Sequence, residues 1–262
     1  KLRDFQSFTL PVLPVYTFAF SLFTFYLTRM KAIITGATKG IGRAIAEKFA
    51  EEGFDLALCA RTAADLAEFK MALLDKFPSR EILTRPSDVS QKAEVQAFAD
   101  LVKSNWQQVD VLVNNAGVYR SGEIHKEEEG IFEQLMATNL NSAYYLTRSI
   151  LPLMLPHRRG HVFNMCSIAS LFAYPDGGSY SISKFALLGF SKVLREELKD
   201  KGIRVTALLP GATWSDSWAG TTVPESRMMK AEDVALAVWG AWQLSGQAVV
   251  EEILLRPQLG DL

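Results

Sequence analysis

Tyr180 and Lys184 stand four residues apart in the segment Ser179-Tyr180-Ser181-Ile182-Ser183-Lys184. On a helix that spacing puts both side chains on one face, about one turn apart. An unperturbed phenol titrates near pH ~10, and a neighbouring ammonium favours its charged form. The pair therefore offers a tyrosine able to give or take a proton near neutral pH. Such spacing is common by chance. It acquires meaning from Ser167, thirteen positions earlier, and from a glycine-rich segment that opens at Thr35.

That segment reads Thr35-Gly36-Ala37-Thr38-Lys39-Gly40-Ile41-Gly42. An apolar strand precedes it and a helical pattern follows. Its glycines permit a tight turn and close approach of backbone to a pyrophosphate, which the free N–H groups of the following helix would face. The spacing differs from the Gly-x-Gly-x-x-Gly of many dinucleotide sites, but the strand–turn–helix context is the required one. Arg61 follows the second strand, where an acidic residue would hold a ribose 2′-hydroxyl. With none at Ala60 or Arg61, Arg61 and Lys39 would bracket a 2′-phosphate, which favours NADP(H) over NAD(H); as surface cations they would look the same. Asp88-Val89 ends the third strand, where the carboxylate would accept an adenine amino group or cap local backbone. Asn114-Asn115-Ala116-Gly117 ends the fourth, as a close passage for a cofactor or a plain turn.

These residues need a frame. Apolar runs predict strands at Lys31–Thr35, Phe54–Cys59, Ile82–Arg85, Val109–Val113, His161–Met165, Ile203–Leu208 and Ala248–Leu255. Helical periodicity predicts helices at Ile41–Glu52, Thr62–Lys76, Gln91–Trp106 (with Ser90 as a possible cap), Ile131–Leu155, Tyr180–Lys199 and Lys230–Leu244. The alternation implies an α/β protein: one Rossmann-type three-layer αβα domain over residues 30–262, with a seven-stranded parallel sheet.

Composition narrows the function. The chain has 262 residues, 48% of them hydrophobic, with net charge −1 and no long basic run, so nucleic acid is not an expected partner. Cys59 and Cys166 are far apart in apolar runs, and His125, His157 and His161 lack ligand spacing, so neither a disulfide nor a metal is expected. A reduced, cytoplasmic protein is the plain expectation. Residues 1–29 differ from the rest. Leu10–Leu27 is uncharged and aromatic-rich, interrupted at Pro11 and Pro14, and Met30-Lys31 directly precedes the first strand. A non-native leader is the favoured reading, ahead of a membrane anchor or a packing arm.

The Thr-Gly-x-x-x-Gly-Ile-Gly fingerprint, Asn114–Gly117, Asn139, Ser167, Tyr180, Lys184 and Pro210-Gly211 occur together in this order. From Met30 to the C-terminus the chain resembles the short-chain dehydrogenase/reductase family. The resemblance implies that Tyr180 protonates a carbonyl oxygen during reduction and that Ser167 hydrogen-bonds the same oxygen. It implies that Lys184 binds the nicotinamide ribose and lowers the Tyr180 pKa, while Asn139 holds a water that relays protons. Thr213 would offer backbone groups to the carboxamide, and Ser215 stands where the family usually has Thr. Trp214–Met229 would form a substrate lid, with Trp214, Trp218 and Met228 suited to a flat or apolar substrate or else packed against protein.

Arg61–Leu66 and Val249–Pro257 look like bacterial sepiapterin reductases, and Trp218 falls where those place a tryptophan near the pterin. That implies a pterin side-chain ketone as substrate. The rival is a 3-oxoacyl-thioester reductase, whose carrier would want a basic entrance; Arg120, Lys126, Arg158 and Arg159 are the candidates. A reading of another class is a non-catalytic NADP-binding scaffold or sensor. The resemblance also implies a homodimer or homotetramer through the helices that begin at Ile131 and Tyr180.

Overall fold

Strand order in the sheet reverses at one point, and that point locates the site. The structure is a computed structural model describing residues 29–215, 218 and 220–262, so Leu10–Leu27 lies outside the described residues. The strands are β1 Lys31–Thr35, β2 Asp55–Ala60, β3 Ile82–Pro86, β4 Val111–Asn114, β5 Gly160–Met165, β6 Ile203–Pro210 and β7 Glu252–Leu255. All pair in parallel, in the order β3-β2-β1-β4-β5-β6-β7. The chain builds outward from β1 to β3, then returns to place β4 on the other side of β1. The crevice at the carboxyl ends of β1 and β4 is the switch point where open α/β sheets take ligands.

The helices are α1 Gly40–Glu51, α2 Ala63–Lys76, α3 Lys92–Asn105, α4 Ile131–Met136, α5 Ser142–Ile150, α6 Gly178–Leu198 and α7 Ala231–Gln243. They cover both faces, because strands apolar on both sides have two surfaces to bury. One core gathers Ile34, Phe49, Phe54, Leu58 and Trp242, with Trp239 against it. The other gathers Ile33, Phe98, Trp106, Leu146 and Val162.

Three boundaries depart from expectation. The helix predicted over Ile131–Leu155 is broken: α4 passes into a π-helical turn at Ala137–Asn141, and α5 ends in 3₁₀ turns containing Pro152 and Pro156. A proline cannot supply the N–H that continues an α-helix. The last strand begins at Glu252, not Ala248, since only Glu252–Leu255 lies in register with Ala207–Pro210 of β6. Ser90 does not cap α3; its N–H donates to Asp88 Oδ1 at 3.0 Å, closing a turn before the helix, and Gln91 takes the cap position. Among the described residues no helix is long and apolar enough to cross a membrane, and no cluster of side chains could hold a metal.

Candidate active site

The turn after β1 is tied to the turn after β4. Thr35 Oγ1 accepts the N–H groups of Asn115 at 3.0 Å and Ala116 at 2.9 Å. Asn115 Nδ2 donates to the carbonyls of Thr35 at 2.9 Å and Gly36 at 3.2 Å. The Asn115 side chain thus shapes the crevice and turns toward protein. Gly42 lies beneath this clasp, where a Cβ would fall 2.3 Å from Gly36 O and 2.4 Å from Asn115 Nδ2. Gly36 and Gly40 have φ of 64° and 51°, a region glycine enters without penalty. A Cβ on Gly40 would meet Ser215 Cβ at 3.0 Å, so Ser215 stands over the turn. No side chain caps α1. Its first-turn N–H groups and positive dipole end therefore suit a pyrophosphate.

The surroundings of this cradle fit a dinucleotide. Thr38 is buried in the turn and Ile41 packs on the core. Arg61 is exposed just past β2, and Lys39 Nζ lies 3.9 Å from Asp65 of α2. Asp65 brings an acid to this cationic pair that the pattern of glycines and bases did not foretell. Val89 is buried beside Asp88, whose Oδ1 is committed to Ser90. Gly117 is small for a reason: a Cβ there would come 3.3 Å from Asn139 Oδ1 and 3.4 Å from Lys184 Nζ.

The proton-bearing groups come from β5, α6 and the π turn. Ser167 follows β5 and begins a 3₁₀ turn, its Oγ accepting Ala169 N at 3.2 Å. The same side chain lies close enough to the Tyr180 phenol to favour its ionised form. Tyr180 lies in the first turn of α6 and keeps partial access to solvent, although protein surrounds most of its ring. Lys184, one turn on, is buried; its Nζ donates to Met165 O at 2.8 Å and sits 5.8 Å from the Tyr180 ring centre. Burial lowers the Lys184 pKa to about 8, with Cys166 opposing. Burial also raises the Tyr180 pKa, against the nearby Ser167, with Tyr119 and Cys166 pushing upward like burial. Lys184 is not among the groups that shift this phenol in the chain by itself. The ammonium is aimed at a carbonyl, and desolvation of the phenolate dominates. Tyr180 is a proton-loaded acid at neutral pH.

Asn139 sits in the π turn, whose extra residue turns its side chain inward. Its Oδ1 accepts Val118 N at 2.8 Å, and its Nδ2 donates to Val118 O at 3.0 Å and Ser183 Oγ at 2.9 Å. Both amide N–H groups are used, so any water on this side chain would have to meet the second lone pair of Oδ1. Beneath, Asn114 Nδ2 donates to Thr147 Oγ1 and Asn164 Oδ1, and Asn164 Nδ2 donates to Ser191 Oγ, linking β4, α5, β5 and α6.

Three contributors escaped the sequence reading. Glu127 Oε1 accepts Ser179 N at 2.8 Å and Oε2 accepts the Ser179 hydroxyl, clamping the first turn of α6. Gly178 admits that carboxylate, since a Cβ would lie 2.2 Å from Glu127 Oε1. In sequence Glu127 opens a run of three glutamates and reads as a solvated loop. Tyr119 meets Tyr180 edge to face at 4.8 Å, and Tyr174 stands near both, since each acts on its phenol. Tyr119 and Tyr174 are half-exposed, in segments with no periodic pattern.

The lid region is closed at its base. Trp214 N donates to Met229 O at 2.9 Å, and Met229 N to Ala212 O at 3.0 Å. Trp214 is exposed and Trp218 partly so, whereas Met228 is buried, in keeping with the alternative that it packs against protein. Thr213 is also buried and donates to Gly211 O. Pro210 pairs with Leu255 in register, and Gly211 packs against the C-terminal tail, a Cβ there falling 3.2 Å from Pro257 Cδ. Arg158 and Arg159 immediately precede β5, whereas Ser167 follows it. They lie at the opposite edge of the sheet and cannot form a basic entrance.

The family model for short chain dehydrogenase matches residues 30–224. Sepiapterin reductase from Chlorobaculum tepidum is 35% identical over 238 residues, 88% of this chain and 97% of that protein. The 3-oxoacyl-[acyl-carrier-protein] reductase of Haemophilus influenzae is 31% identical, over 79% of this chain and 88% of that one. In three dimensions the chain superposes with a TM-score of 0.82 on an alcohol dehydrogenase from the archaeon Thermococcus sibiricus complexed with 5-hydroxy-NADP. That likeness has 29% identity and covers 89% of this chain and 98% of the other. The chain belongs to the short-chain dehydrogenase family, and its reaction class is oxidoreduction between alcohol and ketone.

Proposed function

We propose that this protein is an NADPH-dependent reductase that converts a ketone to a secondary alcohol, with Tyr180 as proton donor. The observation that carries the proposal is the joining of Ser167, Tyr180 and Lys184 at the sheet edge that also holds the glycine cradle. The cofactor is NADP(H), with Lys39 and Arg61 beside the 2′-phosphate; Gly36, Gly40 and Gly42 give the pyrophosphate room at the start of α1. Bound NADPH supplies a hydride to the carbonyl carbon. Tyr180 gives its proton to the carbonyl oxygen as charge develops there, so no free alkoxide forms. Ser167, beside Tyr180, holds that oxygen in line. Lys184 supplies an ammonium below about pH 8 for ribose hydroxyls. Asn139 fixes the loop after β4 to α6, so the three groups keep their spacing.

The substrate favoured is a pterin side-chain ketone. The sepiapterin reductase relative supports it, as do the accessible aromatic groups Trp214, Trp218, Tyr119 and Tyr174, which suit a flat ring. A 3-oxoacyl thioester is the second reading, supported by the Haemophilus relative. It is weakened by the loss of Arg158 and Arg159 from the entrance, and by Lys126 being paired with Glu123. A non-catalytic scaffold would have no need of a buried lysine beside a proton-loaded tyrosine. Exposed Phe132, Tyr144, Ile182, Phe185 and Val193 on α4, α5 and α6 support a homodimer or homotetramer. Two buried free thiols suit a cytoplasmic setting. The test is oxidation of NADPH against sepiapterin, acetoacetyl thioesters and small diketones. Faster turnover of an acetoacetyl thioester than of sepiapterin would reverse the order of the two substrate readings.

A further inference from the structure

At the amino edge of the sheet, remote from Tyr180, lies a second cavity of about 600 Å³. Five cationic residues line it: Arg158, Arg159, Arg195, Lys199 and Arg204. Among the described lining residues there is no carboxylate, although the whole chain carries a net charge of −1. The nearby acids lie outside the wall. Asp110 reaches Arg159 at 3.6 Å, Glu251 reaches Arg195 at 3.3 Å, and Glu196 bonds Lys199. Asp200 also acts on Lys199, so four acids stand against the five bases and one positive charge is left over. The glutamates are mostly exposed, where ion pairs contribute little.

The individual groups are poorly satisfied for cations. An Arg159 guanidinium N–H points at the thioether of Met30, at 3.2 Å, a weak acceptor for a strong donor. The Arg195 Nε is buried without a hydrogen-bond partner. Arg159 and Arg204 both lie over the Trp242 ring, at 5.9 and 5.4 Å. Burial, and then repulsion from Arg159, lower the Arg204 pKa. Arg204 is partly compensated, since it donates to the carbonyls of Ala241, Trp242 and Leu244 at the end of α7. Arg158 has φ of 47°, a left-handed conformation unfavourable for a residue with a Cβ, and its guanidinium donates to Asp200 O at 2.8 Å. Opposite it Gly202 leaves no room for a side chain, as a Cβ would meet Arg158 O at 2.1 Å. The two turns are thus pressed together and hold the basic wall in place.

We propose that this cavity binds a small soluble molecule carrying clustered phosphate groups. Adjacent phosphates would fill the guanidinium donors that Arg159 and Arg195 leave poorly used and would displace the exposed Glu196 and Glu251, which a single weak anion would not outcompete. Recognition is by charge, because Trp242 is too covered to stack on a base. The cationic groups surround a concavity, which fits a compact polyanion better than a membrane surface. Residues 1–28 contain Lys1 and Arg3 against Asp4, so that segment does not supply the missing negative charge.

The probe is inorganic tripolyphosphate, titrated calorimetrically into the full chain with NADPH in excess, so that the glycine cradle is filled. Saturable binding is expected, weakening as salt rises. Replacing Arg158→Asn, which tolerates left-handed φ, together with Lys199→Gln should weaken it about tenfold, the loss of one charge-assisted hydrogen bond or more. Lys199→Gln alone, at an exposed helix end, should weaken it less and guards against misfolding of the double variant. Lys192→Gln, outside the cavity, should leave it unchanged. No saturable binding, or equal binding by wild type and both cavity variants, would overturn the site. Binding to anionic phospholipid vesicles without binding to tripolyphosphate would overturn the soluble ligand.

Discussion

The two edges of the sheet keep polar groups beside an apolar core in different ways. At the carboxyl edge the buried groups are mainly neutral and interlocked. Asn114, Asn164, Thr147 and Ser191 bond one another, and Asn139 closes on Val118 and Ser183. One ammonium, on Lys184, is buried there against a carbonyl. At the amino edge the groups are charged and only partly matched, some buried, as Asp110 and Arg195 Nε are, and others exposed, as Arg159 and Lys199 are. Neutral networks hold geometry without the desolvation cost of ions, and they leave the single buried charge available for chemistry. Exposed cations hold geometry loosely but attract anions over a Debye length of about 8 Å at physiological salt. The difference teaches that one edge is organised for positioning and the other for attraction.

The largest way to break the carboxyl edge is to remove its proton. Tyr180→Phe should lower reduction about a thousandfold, within the range of general acid catalysis, with the fold intact by circular dichroism. Survival of NADPH-dependent reduction in that variant would end the mechanism proposed for Tyr180. Lys184→Met should give a diagnostic pair of effects. Reduction should collapse, while thermal stability rises, because burying the ammonium opposes folding. The drop in pKa from 10.5 to about 8 corresponds to about 3 kcal/mol at neutral pH, an upper bound on the gain. The sign follows from the direction. Below about pH 8 the native state carries the cost of a buried charge. Between about pH 8 and 10.5 the unfolded state binds more protons, and the cost fades as pH rises. Wild-type stability should therefore gain over that interval relative to Lys184→Met, which chemical denaturation at several pH values would measure.

Gly42→Ala comes next. The added Cβ would press on the Gly36 carbonyl and the Asn115 amide, both held by hydrogen bonds. Overpacking of this kind costs about 1–3 kcal/mol, and it should separate the β1 and β4 turns enough to weaken NADPH binding as well. An unchanged melting temperature would show that the clasp yields more easily than its geometry implies.

Glu127 sharpens the comparison from within the carboxyl edge, because it is a charged residue used for positioning. Glu127→Gln keeps an oxygen for Ser179 N but weakens a charge-assisted bond; Glu127→Ala removes both. Reduction should fall about tenfold in the first and further in the second, in kcat more than in KM, since Tyr180 and not the substrate loses its support. Equal kcat in all three proteins would make the clamp irrelevant to Tyr180.

The case of Glu127 also shows where the sequence stops being legible. The seven strands, both helical layers and the glycine turn follow from local periodicity and spacing, and the roles of the Ser167–Tyr180–Lys184 set from the family resemblance, whereas the order of strands in the sheet had to come from the structure. Tyr119, Tyr174 and Glu127 reach the site from irregular loops, and their roles depend on contacts dozens of residues away that no local pattern encodes. The π turn at Asn139 was likewise hidden, because one widened turn spans too few residues to show as a change of period. Arg158 and Arg159 were misplaced, and the burial of Met228 went unforeseen, for a related reason. Residue type fixes what a side chain can do, while the face it takes is decided by strand direction and by the pairing of lid ends through Thr213 and Met229.

The smallest expected effect tests attraction at the carboxyl edge itself. Arg61 is exposed, so its contribution to a 2′-phosphate is screened and comparable to a surface ion pair, about 1 kcal/mol. Arg61→Ala should raise the KM for NADPH about fivefold and leave that for NADH unchanged. Asp65 offers the reciprocal change. Its carboxylate stands 3.9 Å from Lys39 and opposes any second negative charge there. Asp65→Asn should lower the KM for NADPH by a similar factor, again without effect on NADH. The pair of opposite responses, confined to the phosphorylated cofactor, would separate attraction from mere loss of packing. A shift of both cofactors together would instead trace the effect to the turn's shape, and faster turnover with NADH than NADPH in the wild type would remove the case for Arg61 and Lys39.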